Sequence, residues 1–317
     1  MSVVRNYLSL IKFSHTIFAM PFAMIGFFLG LMVIDHPLSV IPGWHVPILP
    51  DHLVNRNIPL TIPELGIRLL LVIACMVFAR SAAMAFNRYL DKNFDAKNPR
   101  TAIREIPSGI ISSSGALRFV IANCIAFVIC TFFINALCFA LSPVALFVVL
   151  GYSYTKRFTP LCHLVLGIGL SLAPIGAYLA VTGAFALLPV LFSFAVIFWV
   201  SGFDIIYALQ DEDFDRSQRL YSVPASIGKK SALRVSQLLH LLSAACIIAA
   251  GFYGQFHWLY WIGTLTFCGM LFYQHSIVKP NDLSRVNLAF MTSNGIASVV
   301  FAILVIADLF LGHIAVQ

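Results

Sequence analysis

Charge is what this chain has least of: 10% of its 317 residues are Asp, Glu, Lys or Arg, whereas 60% are hydrophobic and the mean hydropathy is +0.91. That balance excludes a soluble globular domain and points to an integral membrane protein. Thiol chemistry is missing too. Cys75, Cys124, Cys130, Cys138, Cys162, Cys246 and Cys268 lie in or at the ends of apolar runs, with no CxxC and no Cys/His ligand spacing. They read as small core hydrophobes, not disulfides or metal ligands. The opening MSVVRNYLSLIKFSHT has neither an apolar h-region with a small-residue cleavage site nor an Arg/Ser-rich transit pattern, so a bacterial cytoplasmic (inner) membrane is expected.

What fills the chain is a succession of apolar runs long enough to cross a hydrocarbon core, which takes about 20 residues. They are expected at His15 to Ile34, Leu65 to Leu90, Leu117 to Leu141, Val144 to Lys156, His163 to Gly183, Leu188 to Gln210, Ala232 to Gly254, His257 to His275 and Asn287 to Leu311. The expected fold is therefore all-α, a single polytopic domain over 1–317 with about nine transmembrane helices. The net charge of +7 invites a nucleic-acid reading, but its distribution fits topology instead. With nine spans, every Lys and Arg except Arg56, Arg68 and Arg80 falls on one side. The positive-inside rule makes that side cytoplasmic, with the amino terminus inside and the carboxyl terminus outside. The proline-rich 35–63 segment becomes an external loop without chemistry, and no nucleic-acid partner is expected.

Two cytoplasmic segments carry carboxylates at the edge of lipid. NRYLDKNFD (Asn87 to Asp95) and YALQDEDFD (Tyr207 to Asp215) each follow an even-numbered span, and LDKNFD superposes on QDEDFD so that Asp91 pairs with Asp211 and Asp95 with Asp215. Such weak symmetry suggests two pseudo-repeated halves, roughly 1–157 and 158–317, sharing a site between them. Asn87, Asp91 and Asp95 are spaced four apart, and Arg80 continues their row into the membrane. Asp204, Tyr207, Asp211 and Asp215 repeat the pattern, so each set forms one row if its helix continues. A solvated helix end explains one such loop. Two matched loops, with Arg80 and Asp204 below the membrane surface, are better explained by a functional cavity. Carboxylates stacked on one face repel unless a cation is shared, and Mg²⁺ suits oxygen donors combined with a substrate phosphate. Metals and basic side chains together clamp a diphosphate whose lipid-soluble body lies in the bilayer.

These runs, with Tyr152 and Lys156 as YxxxK between them, RTAIREIPSG behind the first and IKFSHTIFAMPFA at the start, resemble the UbiA-type membrane prenyltransferases, in the branch of 4-hydroxybenzoate polyprenyltransferases. The resemblance covers most of the chain and implies a UbiA-type bundle. It also implies that Asp91, Asp95, Asp211 and Asp215 hold Mg²⁺ on a polyprenyl diphosphate, with Asn87 assisting. Lys156 would contact the diphosphate with Tyr152 on the same face, and Arg157 serves equally well as a topological anchor. Arg100 and Arg104 are further candidates for the phosphate oxygens. Arg80 either receives the carboxylate of an aromatic acid or pairs with Asp204. His15 reads as an interfacial histidine, while Trp199 and most phenylalanines read as core or lipid-facing, some lining a prenyl channel. One position departs from the pattern: Arg88 stands where an Asp usually follows the first Asn, removing a possible ligand and adding a cation. The implied acceptor is 4-hydroxybenzoate, or a dihydroxynaphthoate, since FNRYLD and NPRTAIREIPSG also resemble the UbiA-like enzymes of the futalosine-type menaquinone route. A secondary transporter would carry its acidic residues near span centres, and an alcohol phosphatidyltransferase would carry a DGxxARxxN-like run. Neither fits.

Overall fold

The computed structural model describes residues 3–11, 20–35 and 61–314. His15, nearly all of the expected external loop (36–60) and the terminal residues 315–317 lie outside the described residues. Twelve helices are described: α1 Val3–Leu10, α2 Met20–Asp35, α3 Ile62–Asp95, α4 Ser113–Ile134, α5 Ala136–Thr155, α6 Cys162–Thr182, α7 Leu187–Ala208, α8 Glu212–Ser217, α9 Val223–Tyr253, α10 Trp258–Ile277, α11 Val286–Leu288 and α12 Asn294–Ile314. Among the described residues seven helices are long and apolar enough to cross a membrane. The first and eighth expected spans correspond to α2, described over 16 residues, and α10, whose 20 residues are rich in aromatics and end in polar ones. The chain is a multi-pass, all-helical membrane protein.

Helix α3 explains how carboxylates reach the membrane edge. Thr61 caps its start in a reciprocal box with Glu64, the Thr61 N–H donating to Glu64 Oε2 at 2.7 Å, and Pro63 sits where no intrahelical donor is needed. Its 34 residues rise about 50 Å at 1.5 Å each, against a hydrocarbon core of about 30 Å. The surplus carries Asn87, Asp91 and Asp95 beyond the apolar segment in unbroken helical register.

The break between the third and fourth expected spans falls elsewhere than the sequence implies. It lies at Asn135, not at Ser142–Pro143. Asn135 is extended (φ −167°, ψ 166°), its side chain accepts from the Cys138 N–H at 2.8 Å, and its amide donates to Leu179 O at 2.9 Å. Pro143 is carried inside α5 because the Ser142 hydroxyl donates to Phe139 O at 2.8 Å, the carbonyl that Pro143 leaves without a partner.

Glycines bring the helices close. A Cβ at Gly26 would lie 2.0 Å from Pro174 O, joining α2 to α6, and one at Gly167 would lie 2.5 Å from Ile197 O, joining α6 to α7. Around these contacts sits an aromatic core of Phe22, Phe192, Trp199, Tyr260, Phe267 and Phe301, all fully buried. Trp199 is thus core, as are the phenylalanines around it. At the acidic end, α7 does not simply continue. It tightens into a 3₁₀ turn over Leu209–Asp211 before α8 begins, so the second acidic row is re-aimed where the first is straight.

Candidate active site

A cavity of about 300 Å³ opens at the end of the bundle where α3 and α7 finish. Thirteen of the residues singled out from sequence line it: Arg80, Asn87, Arg88, Asp91, Asp95, Arg100, Arg104, Tyr152, Lys156, Asp204, Tyr207, Asp211 and Asp215. Arg157 is not on its wall but stands behind Asp91. The two acidic segments meet across this space, because Asn98 and Arg100, beyond the first, reach Asp211 in the second.

Asp91, Asp95 and Asp211 are each bridged by a basic side chain. Asp91, 2% exposed, takes Lys156 Nζ at 2.9 Å, Arg157 Nη2 at 3.3 Å and the Asn87 amide at 3.2 Å. Arg157 also donates to Leu90 O at 3.0 Å. Asp95 Oδ1 accepts from Arg104 at 2.7 Å, while its Oδ2 is buried with no hydrogen-bond partner. Asp211 holds Arg100 in a fork, with Nε at 3.0 Å from Oδ1 and Nη2 on Oδ2, and accepts from Asn98 at 3.2 Å. Arg100 Nη1 donates to the Tyr207 hydroxyl at 3.1 Å. Burial works against the Arg100 charge, but its bonds to Asp211 and Tyr207 outweigh it and hold the guanidinium above its ordinary pKa. The site is therefore a lattice of opposite charges, arranged so that cations can turn from carboxylates to an incoming anion.

Deeper in the membrane Asp204 does not pair with Arg80. His163 Nδ1 lies 2.7 Å from Asp204 Oδ2, and the Val223 N–H donates to His163 Nε2 at 3.3 Å. With Nε2 accepting, the ring proton sits on Nδ1 and is donated to Asp204. Arg80 Nε is buried with no hydrogen-bond partner. Arg88 is 5% exposed, lines the cavity, and buries an Nη1 that likewise lacks one.

A second cavity of about 360 Å³, almost wholly apolar, runs between α3, α4, α5 and α6. It shares Arg80, Met84, Tyr152, Leu166 and Leu170 with the polar one, so a charged cavity and an apolar one adjoin at these residues. Its wall is mostly aliphatic and small. Phe127 and Phe185 are the phenylalanines that contribute to it.

The UbiA prenyltransferase family matches the chain over residues 61–296. The chain belongs to the UbiA prenyltransferase family. It is 30% identical over 76% of its length to 4-hydroxybenzoate octaprenyltransferase of Nitrosospira multiformis, covering 82% of that protein. It is 31% identical over 77% of its length to the same enzyme of Aeromonas salmonicida, covering 84%. Among solved structures, a UbiA homolog from Aeropyrum pernix K1 matches with a TM-score of 0.73 at 29% identity, over 94% of this chain and 98% of that one. A UbiA homolog from Archaeoglobus fulgidus bound to GPP and Mg²⁺ shares the fold, with a TM-score of 0.67 at 18% identity over 96% and 99%. Our UbiA chain is thus an aromatic polyprenyltransferase, and the transporter and phosphatidyltransferase readings fall away.

Sequence reasoning missed His163 and Asn98. A lone histidine at the start of an apolar run and an asparagine in a basic loop carry no spacing signal, because their partners, Asp204 and Asp211, are remote in sequence.

Proposed function

We propose that this enzyme moves a polyprenyl group from a polyprenyl diphosphate to a hydroxylated aromatic acid, 4-hydroxybenzoate in the first instance, for respiratory quinone synthesis in a bacterial inner membrane. One observation carries the reading: a cavity walled by carboxylates and fixed cations adjoins an apolar cavity, with five residues lining both. A substrate with an anionic head and a long hydrocarbon body fits that shape, and the names of the curated relatives support the acceptor.

The carboxylates suit Mg²⁺ by their chemistry. Asp91, Asp95, Asp211 and Asp215 supply only oxygen donors around one cavity, and the orphaned Asp95 Oδ2 is an acceptor awaiting a partner. They would hold Mg²⁺, which when bound neutralises charge building on the departing pyrophosphate. Among the described residues no cluster of His, Cys, Asp and Glu is already drawn together as a ligand set. Arg100, Arg104 and Lys156 now occupy the carboxylates, and they would pass to phosphate oxygens as the head group enters.

The allylic C–O bond then breaks, its electron pair leaving with pyrophosphate, and the prenyl carbon becomes a delocalised cation. Leu166, Leu170 and Met84 at the junction exclude water from that carbon. The electron-rich ring of the acceptor supplies the pair for the new C–C bond and then gives up its ring proton, for which the departing pyrophosphate is the base at hand. Arg80, with its unpartnered Nε, would receive the acceptor carboxylate, and Asp204, oriented by His163, the acceptor hydroxyl. The test is competition: membranes containing the enzyme, a polyprenyl diphosphate and Mg²⁺, offered 4-hydroxybenzoate and a dihydroxynaphthoate together. Prenylated benzoate is expected to dominate. A prenylated naphthoate as the main product would move the enzyme to the menaquinone route, and prenylation of neither would overturn the reading.

A further inference from the structure

The last helical segment is interrupted where it meets the polar cavity. Between α11 and α12 the chain makes a wide π-type turn over Ala289–Ser293, a geometry that loosens the backbone ladder and tends to accompany function. Asn294, fully buried, compensates for the turn: its amide donates to Phe290 O at 2.9 Å, and its Oδ1 accepts from Trp199 Nε1 at 2.9 Å and from Gln274 Nε2 at 2.8 Å. The turn is thereby pinned to α7 and α10.

What the turn presents is Phe290. Its ring lies 4.4 Å from that of Tyr207 and 5.4 Å from that of Phe203, and all three line the polar cavity beside Asp204. None of the three lines the apolar cavity. The aromatic wall therefore belongs to the half of the space that the prenyl body does not enter, on the side of the Asp204–His163 pair.

We infer that Phe290, held by the Asn294-pinned turn, forms with Tyr207 and Phe203 the wall against which the acceptor ring stacks, and that it sets how large an aromatic acid the site accepts. This rests on the prenyl-transfer reading above. Stacking on a held ring aligns the acceptor for attack, and the wall's position limits the room for a fused second ring.

The test uses full-length protein in membranes, with Phe290→Ala and Phe290→Leu. Phe290→Ala is expected to raise KM for 4-hydroxybenzoate roughly tenfold, the value of one good aromatic contact, while KM for the polyprenyl diphosphate stays within about twofold. It should also shift the kcat/KM ratio toward a dihydroxynaphthoate. Phe290→Leu, which keeps most of the volume, should lie between and serves if the alanine variant does not fold. Equal rises in both KM values, or no change in either, overturn the inference while leaving prenyl transfer intact. Wild-type protein that neither binds nor prenylates an aromatic acid would overturn both.

Discussion

Asp95 offers a test in which metal binding and folding separate. Its Oδ1 is committed to Arg104, whereas Oδ2 is buried without a partner. Asp95→Asn can keep an oxygen toward Arg104 and loses the charge and the free oxygen. We expect stability in detergent to change by no more than about 1 kcal/mol and kcat to fall by roughly a hundredfold, as when one preorganised charge-stabilising group is removed. The Mg²⁺ concentration for half-maximal rate should rise. A full loss of folding would instead make Asp95 a structural residue. Asp91 differs, because it balances Lys156 and Arg157 while 2% exposed. Asp91→Ala leaves two cations uncompensated, so lower stability should accompany the lost activity, with a penalty of about 3–5 kcal/mol for breaking a buried pair. Thermal unfolding read beside turnover distinguishes the two aspartates. Arg80→Gln should raise KM for the aromatic acid and leave that for the prenyl diphosphate unchanged, since its guanidinium has no carboxylate partner among the described residues to release.

Among elements, α6 is sensitive to substitution at one glycine and tolerant at another close by. A side chain at Gly167 meets Ile197 O, which as backbone has little freedom to yield, whereas at Gly169 a Cβ would meet Val149 Cα at an ordinary 3.9 Å. Gly167→Leu should cost roughly 1–3 kcal/mol by overpacking, read as a lower unfolding midpoint, and Gly169→Ala should be tolerated. The same elements show what sequence can and cannot reveal. The row Arg80, Asn87, Asp91, Asp95 is legible because α3 keeps one register throughout, and hydropathy alone marks its span. The α4–α5 break is not, because Ser142 and Pro143 look like a terminator until the Ser142 hydroxyl is seen to satisfy Phe139 O. Likewise the 3₁₀ turn at Leu209–Asp211 and the wide turn at Ala289–Ser293 depend on partners elsewhere in the chain. Asn98 on Asp211, His163 on Asp204 and Asn294 on Trp199 are therefore invisible to periodicity.

At the scale of the whole molecule, the proposed function rests on two adjoining cavities, one at the charged edge of the bundle and one within its apolar body. On the proposed reading the edge is fixed by charge, since metal and pyrophosphate would exchange with water there. The body is the gap between α3, α4, α5 and α6, which on the same reading would govern the hydrocarbon. Gly176 lies on the wall of that gap, and a Cβ there would meet nothing within 4 Å. Gly176→Phe should therefore fold, because the new ring enters open space, yet it narrows the passage that a long chain occupies. A short allylic diphosphate such as geranyl diphosphate should keep its kcat/KM within about threefold of wild type, whereas a long polyprenyl diphosphate should lose roughly tenfold or more, the cost of a few displaced methylene contacts. Equal losses for both lengths would mean that the ring disturbs the charged head. No loss for either would mean that the hydrocarbon leaves the polar cavity by another route, and the apolar cavity would then have no part in choosing the chain.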